Sequence, residues 1–108
     1  MNSPTGYTID DLLDLVVTEK AKGLSLHAGH PPVVSVRDEA YAIEGPDISS
    51  QNADELLRSL ATTRQIRELR DRGRIEFLHD FQGQAQFKVL VKSSEDEFQI
   101  DLERMMAA

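Results

Sequence analysis

Three runs near the end of the chain alternate apolar and polar residues with a period of two. Ile75, Phe77, His79 and Phe81 alternate with Glu76, Leu78 and Asp80; Ala85, Phe87, Val89 and Val91 with Gln86, Lys88 and Leu90; Phe98, Ile100 and Leu102 with Glu97, Gln99, Asp101 and Glu103. Successive side chains of a strand point to opposite faces, so each run predicts a strand with one face on a core and one in water. Gln82-Gly83-Gln84 and Ser93 to Asp96 turn the chain between them. Short connections and clean alternation imply an antiparallel sheet with one wet face and helices packed on the other.

The preceding residues supply the helices and the rest of the sheet. Thr8 with Asp11 three residues on is close to a capping box. Ile9, Leu12, Leu13, Val16 and Val17 follow at helical spacing, Lys20 and Lys22 come at the end, and Gly23 is a natural stop, which predicts a helix over 8–22. Leu24 to Ala28 alternates as a strand, Gly29-His30-Pro31-Pro32 breaks it, and Val33 to Val36 and Ala40 to Ile43 flank Arg37-Asp38-Glu39 as a hairpin. After the Gly45-Pro46-Asp47 turn, Ser49 or Ser50 caps a second helix with Leu56, Leu57 and Leu60 inward. A third helix follows Thr62-Thr63, buries Ile66 and Leu69, and stops at Gly73. The order expected is α-βββ-αα-βββ: an α+β fold with about six antiparallel strands and three helices, filling residues 1–108 as one domain.

The bulk chemistry narrows the function classes. At 108 residues the chain buries a core without staples. It has no cysteine, which removes disulfide frameworks, thiolate metal sites and cysteine nucleophiles, and suits a reducing cytosol. A formal charge of −7 repels phosphate backbones and anionic lipid, so neither nucleic acid nor a membrane surface is expected as a partner. The longest apolar stretches are far too short to span a bilayer, and Met1 to Gly6 has neither the basic region nor the apolar run of a signal peptide. A cytoplasmic location is expected.

The stretch Leu24-Ser25-Leu26-His27-Ala28-Gly29-His30-Pro31-Pro32-Val33 resembles the S-D-L-H-L-x-x-G-x-P-P segment of PilT-type pilus retraction ATPases and related type II secretion ATPases. The resemblance continues in order through Ile43-Glu44-Gly45-Pro46, Ile48-Ser49, the charged Arg64 to Arg70 helix, Glu76-Phe77 and Ala85-Gln86-Phe87-Lys88-Val89, and so covers about Ile9 to Leu102. It implies the PAS-like N-terminal domain of those enzymes, in agreement with the element order read from the residues. Departures are equally specific. Gly23 stands where the family has Asp, Ser25 where it has His, Ser35 for a frequent Arg, and Arg37-Asp38 for an Asp-Gly turn. On the late strand Gln86 and Lys88 replace two arginines and Leu90 an asparagine, which weakens any phosphate contact. The family's catalytic domain would begin just past Leu102. None of the six glycines of this sequence is followed by lysine, so the phosphate-binding G-x-x-x-x-G-K-[ST] loop is missing and no ATP hydrolysis is expected. A truncated ATPase is a further reading, against which the start at Met1 and the degenerate strand count.

Plainer roles account for most of the polar clusters. His27, His30 and His79 lack a ligand motif; His27 reads as a residue of the wet face and His79, in phase with Phe77 and Phe81, as a histidine at the core's edge. No metal or cofactor is expected. Asp10-Asp11 and Glu95-Asp96-Glu97 are explained by a helix start and a hairpin tip, and Ser25 lacks a nucleophile elbow. Arg64, Arg67 and Arg70, with Arg72 and Arg74, form the one concentrated positive patch, although Glu68–Arg72 and Arg67–Asp71 have the spacing of helix-surface pairs. Leu78 and Leu90 fall on the polar phase of their strands and would make an apolar spot on the wet face. The surface expected to engage a partner therefore comprises Arg64, Arg67, Arg70, Leu78, Gln86, Lys88 and Leu90. The leading reading is a non-catalytic interaction module whose protein partner is a hexameric pilus or secretion ATPase or its accessory proteins. The alternative is a PAS-like sensory domain that binds a small ligand or nucleotide and acts through homo-oligomerisation.

Overall fold

The computed structural model describes residues 6–94 and 97–105. Its elements are α1 (Ile9–Thr18), β1 (Gly23–His27), β2 (Val33–Val36), β3 (Glu39–Ala42), α2 (Ser50–Leu60), α3 (Thr63–Arg72), β4 (Arg74–Phe81), β5 (Ala85–Ser94) and β6 (Glu97–Met105). The six strands form one sheet in the order β3-β2-β1-β6-β5-β4, with every pairing antiparallel. This is the α+β order expected. The acidic tip residues Glu95 and Asp96 lie outside the described residues.

Period-two alternation sets the two faces. Leu24 and Leu26 of β1, Ile100 and Leu102 of β6, and Phe87, Val89 and Val91 of β5 point inward and are at most 2% exposed. The helices cover that face with Leu12, Leu13 and Val16 of α1, Leu56, Leu57 and Leu60 of α2, and Leu69 of α3. Ser49 caps α2 through the Asn52 amide, and Thr62 with Gln65 makes a reciprocal capping box for α3. Gly73 ends α3 at φ +83°, the left-handed geometry that favours glycine.

The first helix ends earlier than its sequence suggests, and Gly23 is not its stop. Helical backbone runs only to Thr18; Gly23 opens β1, and Lys20 and Lys22 fall beyond the last turn. The Ala21 amide donates to the Val16 carbonyl (2.9 Å) and the Lys20 amide to that of Val17 (3.2 Å), which is a Schellman closure with Lys20 in the left-handed position at φ +57°. Burial of Ala21, 2% exposed, draws the chain inward there. A side chain at left-handed φ is strained, so Lys20→Gly is expected to gain about 0.5–1 kcal/mol. A thermal melt checks it as a rise of about 2–6 °C.

The Gly29-His30-Pro31-Pro32 segment is a fastener. Gly29 has φ +90°, its amide donates to the Ile48 carbonyl (2.8 Å), and the Ile48 amide donates back to the His30 carbonyl (2.9 Å). Ile48 itself is 1% exposed. The loop between β1 and β2 is thereby tied to the approach to α2.

Candidate functional site

The candidate interaction residues lie on two surfaces, the sheet face and the arginine helix. Gln86, Lys88 and Leu90 project from the outer face of β5 and Leu78 from that of β4, away from the helices. Arg64, Arg67 and Arg70 lie on α3, which packs against the inner side of β4 and β5. The sheet stands between the two groups, so one flat partner cannot touch both.

On the outer face Leu78 lies opposite Lys88 and Leu90 opposite Glu76. The four residues form a square whose diagonals are Leu78–Leu90 and Glu76–Lys88. Lys88 Nζ reaches Glu76 Oε2 at 2.9 Å across the second diagonal. Lys88 also lies directly opposite Glu103 on β6. The leucines are therefore diagonal neighbours beside an ion pair, with Leu78 61% exposed and Leu90 half-buried. An apolar anchor rimmed by a fixed ion pair suits a protein partner better than a phosphate, because Lys88 is already neutralised.

The hydrogen bond and charge of Lys88 hold the Glu76 carboxyl below its ordinary pKa, and those of Glu76 hold Lys88 above its own. The pair is complete at neutral pH; it is lost in acid as pH falls through the lowered Glu76 value, and in base as pH rises through the raised Lys88 value. An NMR titration of the Glu76 carboxyl carbon is expected to show a midpoint below that of an ordinary glutamate, and Lys88→Met to restore it.

Towards the centre of the sheet the face becomes polar. The Ser25 hydroxyl donates to Asp101 Oδ1 at 2.8 Å, and Gln99 Nε2 donates to the same oxygen at 3.1 Å. Beside them lies an open depression of about 340 Å³ lined by Lys22, Gly23, Ser25, Ser35, Asp101 and Glu103, among others. Gly23 lets β6 come close: a Cβ there would meet the Leu102 carbonyl oxygen at 2.8 Å. Ser25 is thus a hydrogen-bond donor from β1 to β6.

His27 lies on this face as expected, with Nε2 3.4 Å from Glu97 Oε1 and its ring stacked on His30 at 5.1 Å. His79 is half-buried, opposite Phe87. Among the described residues no cluster of three or more metal-ligating side chains occurs.

On α3 the Arg72–Glu68 pair forms at 3.9 Å, but the anticipated Arg67–Asp71 pair does not close within 4 Å. Exposed helix pairs gain little in water, so their side chains are not held together. Arg64, Arg67 and Arg70, three residues apart, make an exposed ridge with no carboxylate within 4 Å among the described residues.

These features define an α+β domain with a filled interior and a sequence without a phosphate-binding loop. Solved structures share this fold. The crystal structure of the pilus retraction motor PilT with bound ADP matches with a TM-score of 0.84 at 18% identity, over 94% of this chain and 30% of that one. The Legionella pneumophila ATPase DotB matches with a TM-score of 0.80 at 17% identity, over 96% of this chain and 31% of that one. The Yersinia pseudotuberculosis ATPase DotB matches with a TM-score of 0.72 at 11% identity, over 97% and 32%. This chain spans about a third of the length of each. The fold is therefore the one that the sequence resemblance implied. No protein-family profile and no curated protein sequence matches the chain. Among the described residues no helix is long and apolar enough to cross a membrane.

Proposed function

We propose that this chain is a non-catalytic docking module of a pilus or secretion system, binding its ATPase or an accessory protein in the cytoplasm. The shared fold carries the reading: almost the whole chain superimposes on about a third of PilT and of DotB. A domain of that fold whose own sequence holds no phosphate-binding loop acts by occupying a surface, not by turning over nucleotide. The outer face of β4 and β5 is the primary contact. Leu78 and Leu90 supply its apolar anchor, the Glu76–Lys88 pair fixes its rim, and Gln86 extends it. The arginine ridge of α3 offers an acidic partner a second contact on the opposite side. The packed interior supports this reading over a buried-ligand sensor, because a ligand between sheet and helices would have to displace Phe87, Leu13 and Leu26.

The test is capture of the tagged chain from lysate of its own host at low and moderate salt. Recovery of a retraction-type or secretion-type ATPase supports the proposal, and recovery of the chain alone in a clean repeat counts against it. A thermal-shift panel of nucleotides and cyclic dinucleotides addresses the sensor. No rise in melting temperature is expected, whereas a saturable rise would favour sensing.

A further inference from the structure

The sheet is open, and its two edges differ. β3 is four residues long, and shortness is a common protection against edge-to-edge pairing. β4 is an edge strand of eight residues with no proline, glycine or lysine, and its register with β5 runs unbroken from Arg74–Lys92 to Phe81–Ala85, so no bulge twists it away. Among the described residues no strand pairs with its other side, which therefore presents an uninterrupted row of backbone donors and acceptors. Beside that row, Leu78 is 61% exposed, and Phe77 and His79 are only half-buried.

The side chains of β4 select a partner. In an antiparallel joint, opposed residues share a face, so two copies of β4 continue the sheet only in registers that put outer residues opposite outer ones. A two-fold axis at Glu76 sets that residue against its own copy. An axis at Leu78 sets Glu76 against Asp80 twice. An axis at Phe77 places Arg74 opposite Asp80 of the second copy, and Asp80 opposite its Arg74, with no like charges directly opposed. The same register stacks Phe77 on its copy at the inner edge and puts the two Leu78 side chains on a diagonal. The Leu90–Leu78 diagonal then runs across the joint as one apolar stripe.

We propose that β4 is a self-association edge, pairing antiparallel with β4 of a second copy about an axis through Phe77 to form a twelve-stranded sheet. The inference rests on the edge and its charge order, not on the ATPase reading. Strand addition of this length makes a small interface, so its dissociation constant lies on the order of 10–100 μM.

Sedimentation equilibrium of the full chain from about 1 to 500 μM tests the pairing across that range. The wild type is expected to pass from monomer to dimer. Arg74→Glu, which opposes two acids at each end of the joint, should raise the dissociation constant at least about tenfold. Arg74→Glu with Asp80→Arg should restore it. Both positions are exposed, and circular dichroism verifies that the variants fold. Asp80 also accepts the Gly83 amide in the turn at 3.1 Å. If Asp80→Arg disturbs that turn, salt replaces the swap: screening should strengthen the Arg74→Glu dimer and weaken the wild-type one. A wild type monomeric throughout, an Arg74→Glu variant that dimerises as well as wild type, or a folded double variant no better than the single one overturns the proposal.

Discussion

Replacing Phe87 with alanine is expected to cost about 3–5 kcal/mol, against about 5–15 for the whole stability of an ordinary domain. Phe87 is 0% exposed near the start of β5, opposite His79 on one side and Arg104 on the other. Its ring fills the space between sheet and helices, and the surrounding core cannot collapse into the hole because sheet pairing holds β5 on both sides. Leu78 provides the control. It lies opposite Lys88, the next residue of β5, but on the outer face, so Leu78→Asp should change stability by no more than about 0.5 kcal/mol. Chemical denaturation measures both. A loss below about 1 kcal/mol for Phe87→Ala would mean that the inner face has been assigned wrongly.

The second large effect is expected at Asn52, the one buried polar side chain of the described core, 3% exposed. Its Oδ1 accepts the Tyr7 amide at 2.7 Å and its Nδ2 donates to the Tyr7 carbonyl at 2.9 Å. The Tyr7 hydroxyl donates to the Pro46 carbonyl at 2.6 Å, so the segment ahead of α1 is held at both its backbone and its side chain. Gly6 permits the approach, since a Cβ there would stand 2.4 Å from Asn52 Cγ. Asn52→Leu keeps the volume and removes both bonds. It leaves the part-buried Tyr7 N–H and C=O without their partner, at about 1–3 kcal/mol. Hydrogen exchange distinguishes this from general loosening: the Tyr7 amide should lose protection well before Val89 and Val91. Equal loss at all three sites would contradict the clamp.

The period-two runs made the fold legible. They identified the faces of β4, β5 and β6, and Gly73 and Thr62 marked the limits of α3 through local chemistry alone. Gly23 misled because glycine has two uses: as a helix stop it needs left-handed φ, whereas here its value is the missing Cβ against Leu102. The true stop at Lys20 had no glycine to announce it. Asn52 gave no signal, because its partner is the backbone of a residue 45 positions away. Of the interaction surface, the outward placement of Leu78 and Leu90 followed from strand phase. Its separation from the arginine ridge followed as well, since the helices were expected on the face opposite the wet one, and α3 packs there.

The outer sheet face is the docking surface proposed for this domain. The direct test is a binding titration of the purified chain against the ATPase recovered with it. Leu78→Asp with Leu90→Asp is expected to weaken binding at least about tenfold while the variant stays folded, because an apolar anchor at an interface centre carries much of its energy. Charge reversal of Arg64, Arg67 and Arg70 should alter mainly the salt dependence and association rate. Undiminished binding of a folded Leu78→Asp, Leu90→Asp variant would contradict the proposal.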